Sequence, residues 1–295
     1  MKEHFTNTTH EARYAFMMEQ AHALGKLALM CIKEGTVQME LKPDNTKVTT
    51  VDKELNRVFI EQVARQYPGD LVWGEEDSNS EKGDTTLADR HWMWLIDPID
   101  GTSGFWRSYE NRRFTENTST IMITGFAPGE TTPTMSVIHN PFQRQTVTIS
   151  ADTDATYYTT LHAPRPRRVH LPKDQGPATL DQVQRYEHSN WQDCVPNLRD
   201  MAQVIPYARL TEHQLFMGSV ALGDVDLSAF PGPSNPHDVA PGALIVHNAG
   251  GAVRTFNGEK YEDVDWRTFP IAGTVCAAND SLAGAFVTHM QQDAA

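Results

Sequence analysis

Residues 92–102 read WMWLIDPIDGT. Five apolar residues, Trp92 to Ile96, run without a break into Asp97 and Asp100, three positions apart, and then into Gly101 and Thr102. A short apolar run between polar stretches predicts a strand buried on both faces. Pro98 removes a backbone donor and fixes its own φ, so the chain leaves the strand in a set direction. A tight bend there turns Asp97 and Asp100 toward one point. Two carboxylates converging on an apolar strand end repel unless a cation sits between them, and hard oxygen ligands select Mg²⁺ or Ca²⁺. Gly101 lets the backbone approach a ligand. If Gly101 and Thr102 open a helix, their free N–H groups form an anion cradle. For a DxxD taken alone, the competing reading is an N-cap followed by a solvated turn residue.

Two more acidic clusters sit where elements end. Gly74, Glu75, Glu76 and Asp77 follow the apolar residues 71–73, and Asp238 follows a proline-rich turn and opens a helix. Taken alone, the first reads as a solvated loop and the second as a helix N-cap. Sheet-edge strand ends and helix starts are also where α/β proteins assemble binding sites. The acids at these three element ends, joined to Gly101 and Thr102, predict carboxylate-held cations beside an N–H cradle. That combination suits the grip of a phosphate monoester.

The flanking pattern predicts mixed helices and strands. Met17, Ala21, Leu24, Ala28 and Cys31 recur at helical spacing, which predicts a helix over 11–34 ended by Gly35. A second helix is expected over 53–66, burying Leu55, Phe59 and Val63, with Pro68 and Gly69 beyond it. Strands are expected at 71–73, 92–96, 119–124, 135–139 and 146–150. Residues 162–177, HAPRPRRVHLPKDQGP, read as a loop or connector within 151–181. Residues 180–201 read as a strand followed by a helix, and 211–222 as a helix. The rigid turn at 230–236 leads to a helix over 238–248 closed by Gly250 and Gly251, and a last helix covers 280–291. No internal repeat is visible. The order implies a layered α/β or α+β fold.

Composition narrows the function. The 295 residues carry 25 Lys and Arg against 38 Asp and Glu, a net charge of −13. That balance argues against a nucleic-acid polymer as partner. No apolar run approaches the roughly 20 residues of a membrane span, and the polar N-terminus lacks the layout of a secretory signal. Three scattered cysteines, Cys31, Cys194 and Cys276, are too few for a disulfide framework. The expectation is an acidic cytoplasmic protein with a small-molecule partner.

Four segments carry a resemblance. WLIDPIDGT at 94–102 and DVAPGALIVHNAGG at 238–251 resemble the two signatures of the inositol monophosphatase family, the lithium-sensitive, Mg²⁺-dependent phosphatases. KVTTVD at 47–52 is similar to the family's VTxxD segment, and Gly74-Glu75-Glu76 to its GEE. They stand in family order and spacing across roughly residues 40–280. The resemblance implies a layered αβαβα sandwich, with an α+β lobe over 1–180 and an α/β lobe over 181–295 that supplies Asp238. It implies one Mg²⁺ on Glu75, Asp97 and the Ile99 carbonyl, a second on Asp97, Asp100 and Asp238, and a third, looser ion on Glu75. Asp52 and Glu76 would stand behind these ligands or reach the ions through water. Glu75, Thr102 and Asp52 would form the catalytic set. The Gly101 and Thr102 amides, with Asp100 and Asp238, would meet the phosphate or the substrate. A homodimer is implied by relatives alone.

The substrate implied is an inositol or sugar phosphate or 3′-phosphoadenosine 5′-phosphate, with histidinol phosphate as an alternative; a non-catalytic regulatory binding protein that keeps the fold is another. This chain departs from the family at His237, where Trp or Tyr is usual, and at Pro231, where inositol-specific members carry Glu. The GxGAxxNG hairpin of many members is not evident over 154–166. Gly232-Pro233-Ser234-Asn235 resembles the GPTN of bacterial 3′-phosphoadenosine 5′-phosphate phosphatases, and Phe114-Thr115 with residues 120–123 resembles their EFTVNIALI. Arg107, Arg112 and Arg113 are either partners for a second phosphate or a solvated loop, and Arg165, Arg167 and Arg168 are expected exposed. His237 either bonds substrate or packs where the aromatic ring normally does.

Overall fold

Helix α1 (Asn7–Glu34) buries Met17, Ala21, Leu24 and Ala28 on one face and half-buries Cys31. It begins four residues before the expected start at Glu11. The computed structural model describes residues 7–43, 45–76, 86–113, 119–150, 155–159, 167–169, 210–211, 215–223, 226–230 and 232–293. A hairpin of β1 (Met39–Leu41) and β2 (Lys47–Thr49) leads into α2 (Thr50–Gln66). Thr49 caps α2 in a reciprocal box with Asp52, so α2 starts three residues earlier than its apolar spacing predicts. Leu55, Phe59 and Val63 are buried, each contributing about 1.5–3 kcal/mol.

Seven strands form the main sheet in the order β3 (Leu71–Gly74), β4 (Met93–Asp100), β5 (Thr120–Phe126), β6 (Met135–Asn140), β7 (Gln145–Ser150), β8 (Ala155–Thr159) and β9 (Arg167–Val169). Only the β3–β4 pair is parallel. Alternation sorts the side chains. Trp94, Ile96, Ile121, Ile123 and Val137 face α1 and α2, whereas Met93, Leu95, Met122 and Ile138 face the opposite way. On that opposite side lie α4 (Leu215–Leu222) and α5 (Pro236–Asn248). Beyond them is a second sheet, ordered β10 (Leu210–Thr211), β11 (Leu227–Phe230), β13 (Thr274–Ala277) and β12 (Ala252–Thr255). Helix α6 (Asp280–Asp293) covers its far face through Phe286 and Val287. The layers therefore run αβαβα. Helix α3 (Thr102–Asn111) leaves the end of β4.

Several expectations are corrected. Residues 71–73 are only half-buried, because β3 is an edge strand. Strand β4 does not stop at Ile96 but continues through both aspartates, held by pairing with β5 rather than by apolar content. The Pro- and Arg-rich stretch contains a strand, β9, whose ladder to β8 needs no apolar period at the sheet edge. In 211–222 the helix begins at Leu215, and Leu210–Thr211 pairs with β11 instead. Residues 180–201 and the rest of 170–209 lie outside the described residues. No helix among the described residues is long and apolar enough to cross a membrane.

Candidate active site

The acids meet because β4 carries one extra residue. Asp97 pairs with Met122 and Asp100 with Thr120, so three steps on β4 match two on β5. Positions three apart in a regular strand point to opposite faces; the bulge resets the alternation and turns Asp97 and Asp100 to the same face. That face is the one of Met93 and Leu95, toward α5. Glu75 arrives by the same count. It follows Leu71 and Trp73, which pack toward α5, and its N–H bonds the Ile96 carbonyl at 3.0 Å. Gly74 is required just before it, since a Cβ there would stand 1.9 Å from Asn56 Oδ1.

Three helix starts converge on this strand end. Asp52 lies in the first turn of α2, Thr102 opens α3 and Asp238 lies in the first turn of α5. The partial positive charge of each terminus favours anions. Asp52 Oδ2 accepts from the Thr49 N–H at 2.8 Å and from the Thr49 hydroxyl, and Asp52 Oδ1 accepts from Thr102 Oγ1 at 3.0 Å. Thr102 Oγ1 also reaches the Ile99 carbonyl at 3.1 Å. Gly101, at φ +80°, makes the left-handed turn between β4 and α3. Asp238 accepts from Asn235 Nδ2 at 3.4 Å, and His237 Nε2 stands 3.3 Å from its other oxygen.

Charge is the salient property. Asp97 is buried, and its carboxyl is pushed well above the usual range by burial and then by Glu75, Asp100 and Asp238. Burial, then Asp238 and Glu75, pushes Asp100 up to about 8. Burial raises Asp238 to about 6, against the pull of Asn235, and Asp52 to about 6, against the bonds from Thr49 and Thr102. Glu76 rises to about 7, again by burial, although Lys42 draws it down. Burial leads each of these shifts, and neighbouring carboxylates add to those of Asp97, Asp100, Asp52 and Glu76. Lys42 Nζ bridges Glu75 and Glu76 at 2.9 and 2.7 Å, and the two carboxylates outweigh its burial and hold its proton more tightly than usual. Among the described residues, no three His, Cys, Asp or Glu side chains are grouped as a finished ion cage. The donors gathered here are oxygens, the set that suits a hard divalent cation.

A sequence profile of the inositol monophosphatase family matches residues 10–294. The chain belongs to the inositol monophosphatase family. It is 24% identical over 259 residues to the Nus factor SuhB of Escherichia coli K12, covering 87% of each chain. It is 23% identical over 228 residues to the fructose-1,6-bisphosphatase/inositol-1-monophosphatase of Thermotoga maritima, covering 72% of this chain and 73% of that one. The fold is shared with an IMPase/NADP phosphatase crystallised with Mg²⁺ and phosphate, at a TM-score of 0.70 and 18% identity over 96% of this chain and 95% of the other.

Within this family member, Glu75, Asp97, Asp100, Asp238, Asp52, Thr102 and Gly101 share one end of the main sheet. Arg112 and Arg113 do not join them. They are exposed beyond the far end of α3, about 15 Å along the axis from Gly101, and Arg107 is exposed midway. Ser234 forms a backbone bridge with Ile271, 2.9 Å in each direction, so the GPSN segment is braced by the β12–β13 connection. His237 is buried beside Asp238. Pro231, Phe114, Thr115 and Asp77 lie outside the described residues. Sequence reasoning missed Lys42, Thr49, Ser119 and Thr120. Thr49 had a signal, the T-x-x-D of a capping box; a single Lys or an isolated hydroxyl carries none.

Proposed function

We propose that this protein hydrolyses a phosphate monoester of a small soluble metabolite, an inositol or sugar phosphate or 3′-phosphoadenosine 5′-phosphate, with Mg²⁺. The observation that carries the reading is the crowding of Glu75, Asp97, Asp100 and Asp238 at one sheet edge against three helix N-termini. Acids left in mutual repulsion are costly without a cation. Glu75, Asp97 and the Ile99 carbonyl would hold one ion, Asp97, Asp100 and Asp238 a second, with a third leaning on Glu75. When bound, divalent ions supply Lewis-acid activation of water and neutralise phosphoryl charge.

The chain's own groups do the positioning. Thr102 spends its proton on Asp52 and the Ile99 carbonyl, which leaves its Oγ1 lone pair to accept from the attacking water. Asp52, which accepts from Thr102 Oγ1, would take a proton from the water through Thr102, and Glu75 would be the second acceptor. The Gly101 and Thr102 N–H groups, at the start of α3, face phosphate oxygens. Phosphoryl transfer is largely placement and charge neutralisation, which this arrangement supplies.

The test is phosphate release from inositol 1-phosphate, 3′-phosphoadenosine 5′-phosphate, fructose 1,6-bisphosphate and histidinol phosphate. Release should require Mg²⁺, fall in lithium and vanish in chelator. Failure on every ester, or release untouched by chelation, sinks the reading. The names of the SuhB relatives favour a second reading, a regulatory binding role. Inert wild-type protein would move weight to it.

A further inference from the structure

We propose that Ser119, the residue leading into β5, is the positioning residue that aims the Thr102 N–H into the cleft; this rests on the phosphatase reading above. Gly101 has no side chain with which to cap α3, so the direction of the turn must be set from elsewhere. Its carbonyl receives the Gly104 N–H at 2.8 Å, the Phe105 N–H at 3.0 Å and Ser119 Oγ at 3.1 Å. The first two come from the opening turn of α3 itself and move with it. The hydroxyl comes from the sheet and does not.

Peptide planarity converts that bond into a pointing device. In a trans peptide the C=O and N–H look in opposite directions. A hydroxyl that fixes the Gly101 carbonyl on the β5 side therefore turns the Thr102 N–H away from β5. The next residue makes a companion contact, with Thr120 Oγ1 3.4 Å from Asp100 Oδ2. Two consecutive hydroxyls at the entry to β5 thus brace the DGT turn, one on a carbonyl and one on a carboxylate. Ser119 is only 4% exposed, so bulk water offers its hydroxyl little alternative. It also borders a small void lined by Ile99, Phe105, Ile121 and Phe142.

The experiment compares full-length wild type, Ser119→Ala, Ser119→Cys and Ser119→Thr by calorimetry. Two quantities are read, Mg²⁺ binding alone and inorganic phosphate binding at saturating Mg²⁺. Loss of one hydrogen bond predicts phosphate affinity weakened about three- to tenfold in Ser119→Ala, with Mg²⁺ affinity within about twofold of wild type. Ser119→Cys keeps nearly the same volume with a weak donor and should share the defect, so the result does not depend on how Ser119→Ala folds. Ser119→Thr restores the hydroxyl and should restore phosphate binding. Unchanged phosphate affinity in Ser119→Ala and Ser119→Cys, or equal loss of Mg²⁺ and phosphate binding, overturns the assignment. Wild type that binds phosphate but cleaves no ester overturns the hydrolytic reading alone. Wild type that cleaves esters while Ser119→Ala keeps full phosphate affinity overturns only the role of Ser119.

Discussion

At the Trp92 end of β4, Asp70 is matched group for group: Arg13 meets both its oxygens at 2.8 and 3.0 Å, and Trp94 Nε1 adds a third bond at 2.9 Å. Arg13 is itself held over the rings of Tyr67 and Trp92. At the Asp100 end of the same strand, burial and then the neighbouring Glu75 and Asp238 raise the proton affinity of Asp97 and Asp100, and Lys42 is engaged by Glu75 and Glu76. One end spends its charge on stability. The other gathers acids whose crowded charge a bound proton or a cation would relieve, and under the proposed function this contrast separates a structural acid from a working one.

The sharpest way to break the comparison is to remove one acid from each end. Asp97→Asn should abolish phosphate release, by at least about a thousandfold, while its melting temperature in chelator holds or rises because repulsion is relieved. Asp70→Asn should retain activity and lose about 3 kcal/mol of stability, since the Arg13 guanidinium is left without its charge partner. Activity assays and chelator-treated melts on both variants decide it; an Asp97→Asn protein that is active, or far less stable, would erase the distinction.

A pH series sharpens it next. A carboxyl that holds its proton more tightly folded than unfolded stabilises the fold at low pH, and that contribution is lost as pH climbs through the folded value. Asp52 and Asp238 at about 6, Glu76 at about 7 and Asp100 at about 8 place the loss between about pH 4 and pH 8. In chelator the melting temperature should therefore fall from pH 6 to pH 8, by on the order of 5 °C. Mg²⁺ should flatten the slope, because it favours the ionised acids. A chelator profile that climbs across this interval contradicts the crowded charge.

The smallest effect concerns Lys42. Lys42→Met should lower the melting temperature in chelator by a few degrees, on the order of 1 kcal/mol for a partly buried pair. Saturating Mg²⁺ should shrink that deficit as divalent charge replaces the ammonium. A deficit equal in both conditions would make Lys42 a plain surface contact.

Much of the molecule could be read from residue order. The spacing of Met17, Ala21, Leu24 and Ala28 marks α1 because one helical face meets the sheet, and the run from Met93 to Ile96 marks a strand because both its faces are covered. Asp97, Asp100, Glu75 and Asp238, each readable alone as a cap or a solvated turn residue, are legible as a set through their combination with Gly101 and Thr102 and the family signatures that hold them. What stayed hidden depends on partners far along the chain. The strand's continuation past Pro98 is set by Met122 and Thr120, and β9 exists only as a ladder against β8. Lys42 reaches Glu75 from 33 positions away, a closeness that no local pattern records.

The additional residue in β4 also sets a rule for anyone who would build such a centre elsewhere. Copying the letters DPID onto a flat, regular ribbon would send its two aspartates to opposite sides of the sheet. A transplant needs either the local swelling of the strand together with a Thr120-like neighbour opposite it, or a shortened spacing of two. The unit of inheritance here is a defect in the weave, and the letters follow from it.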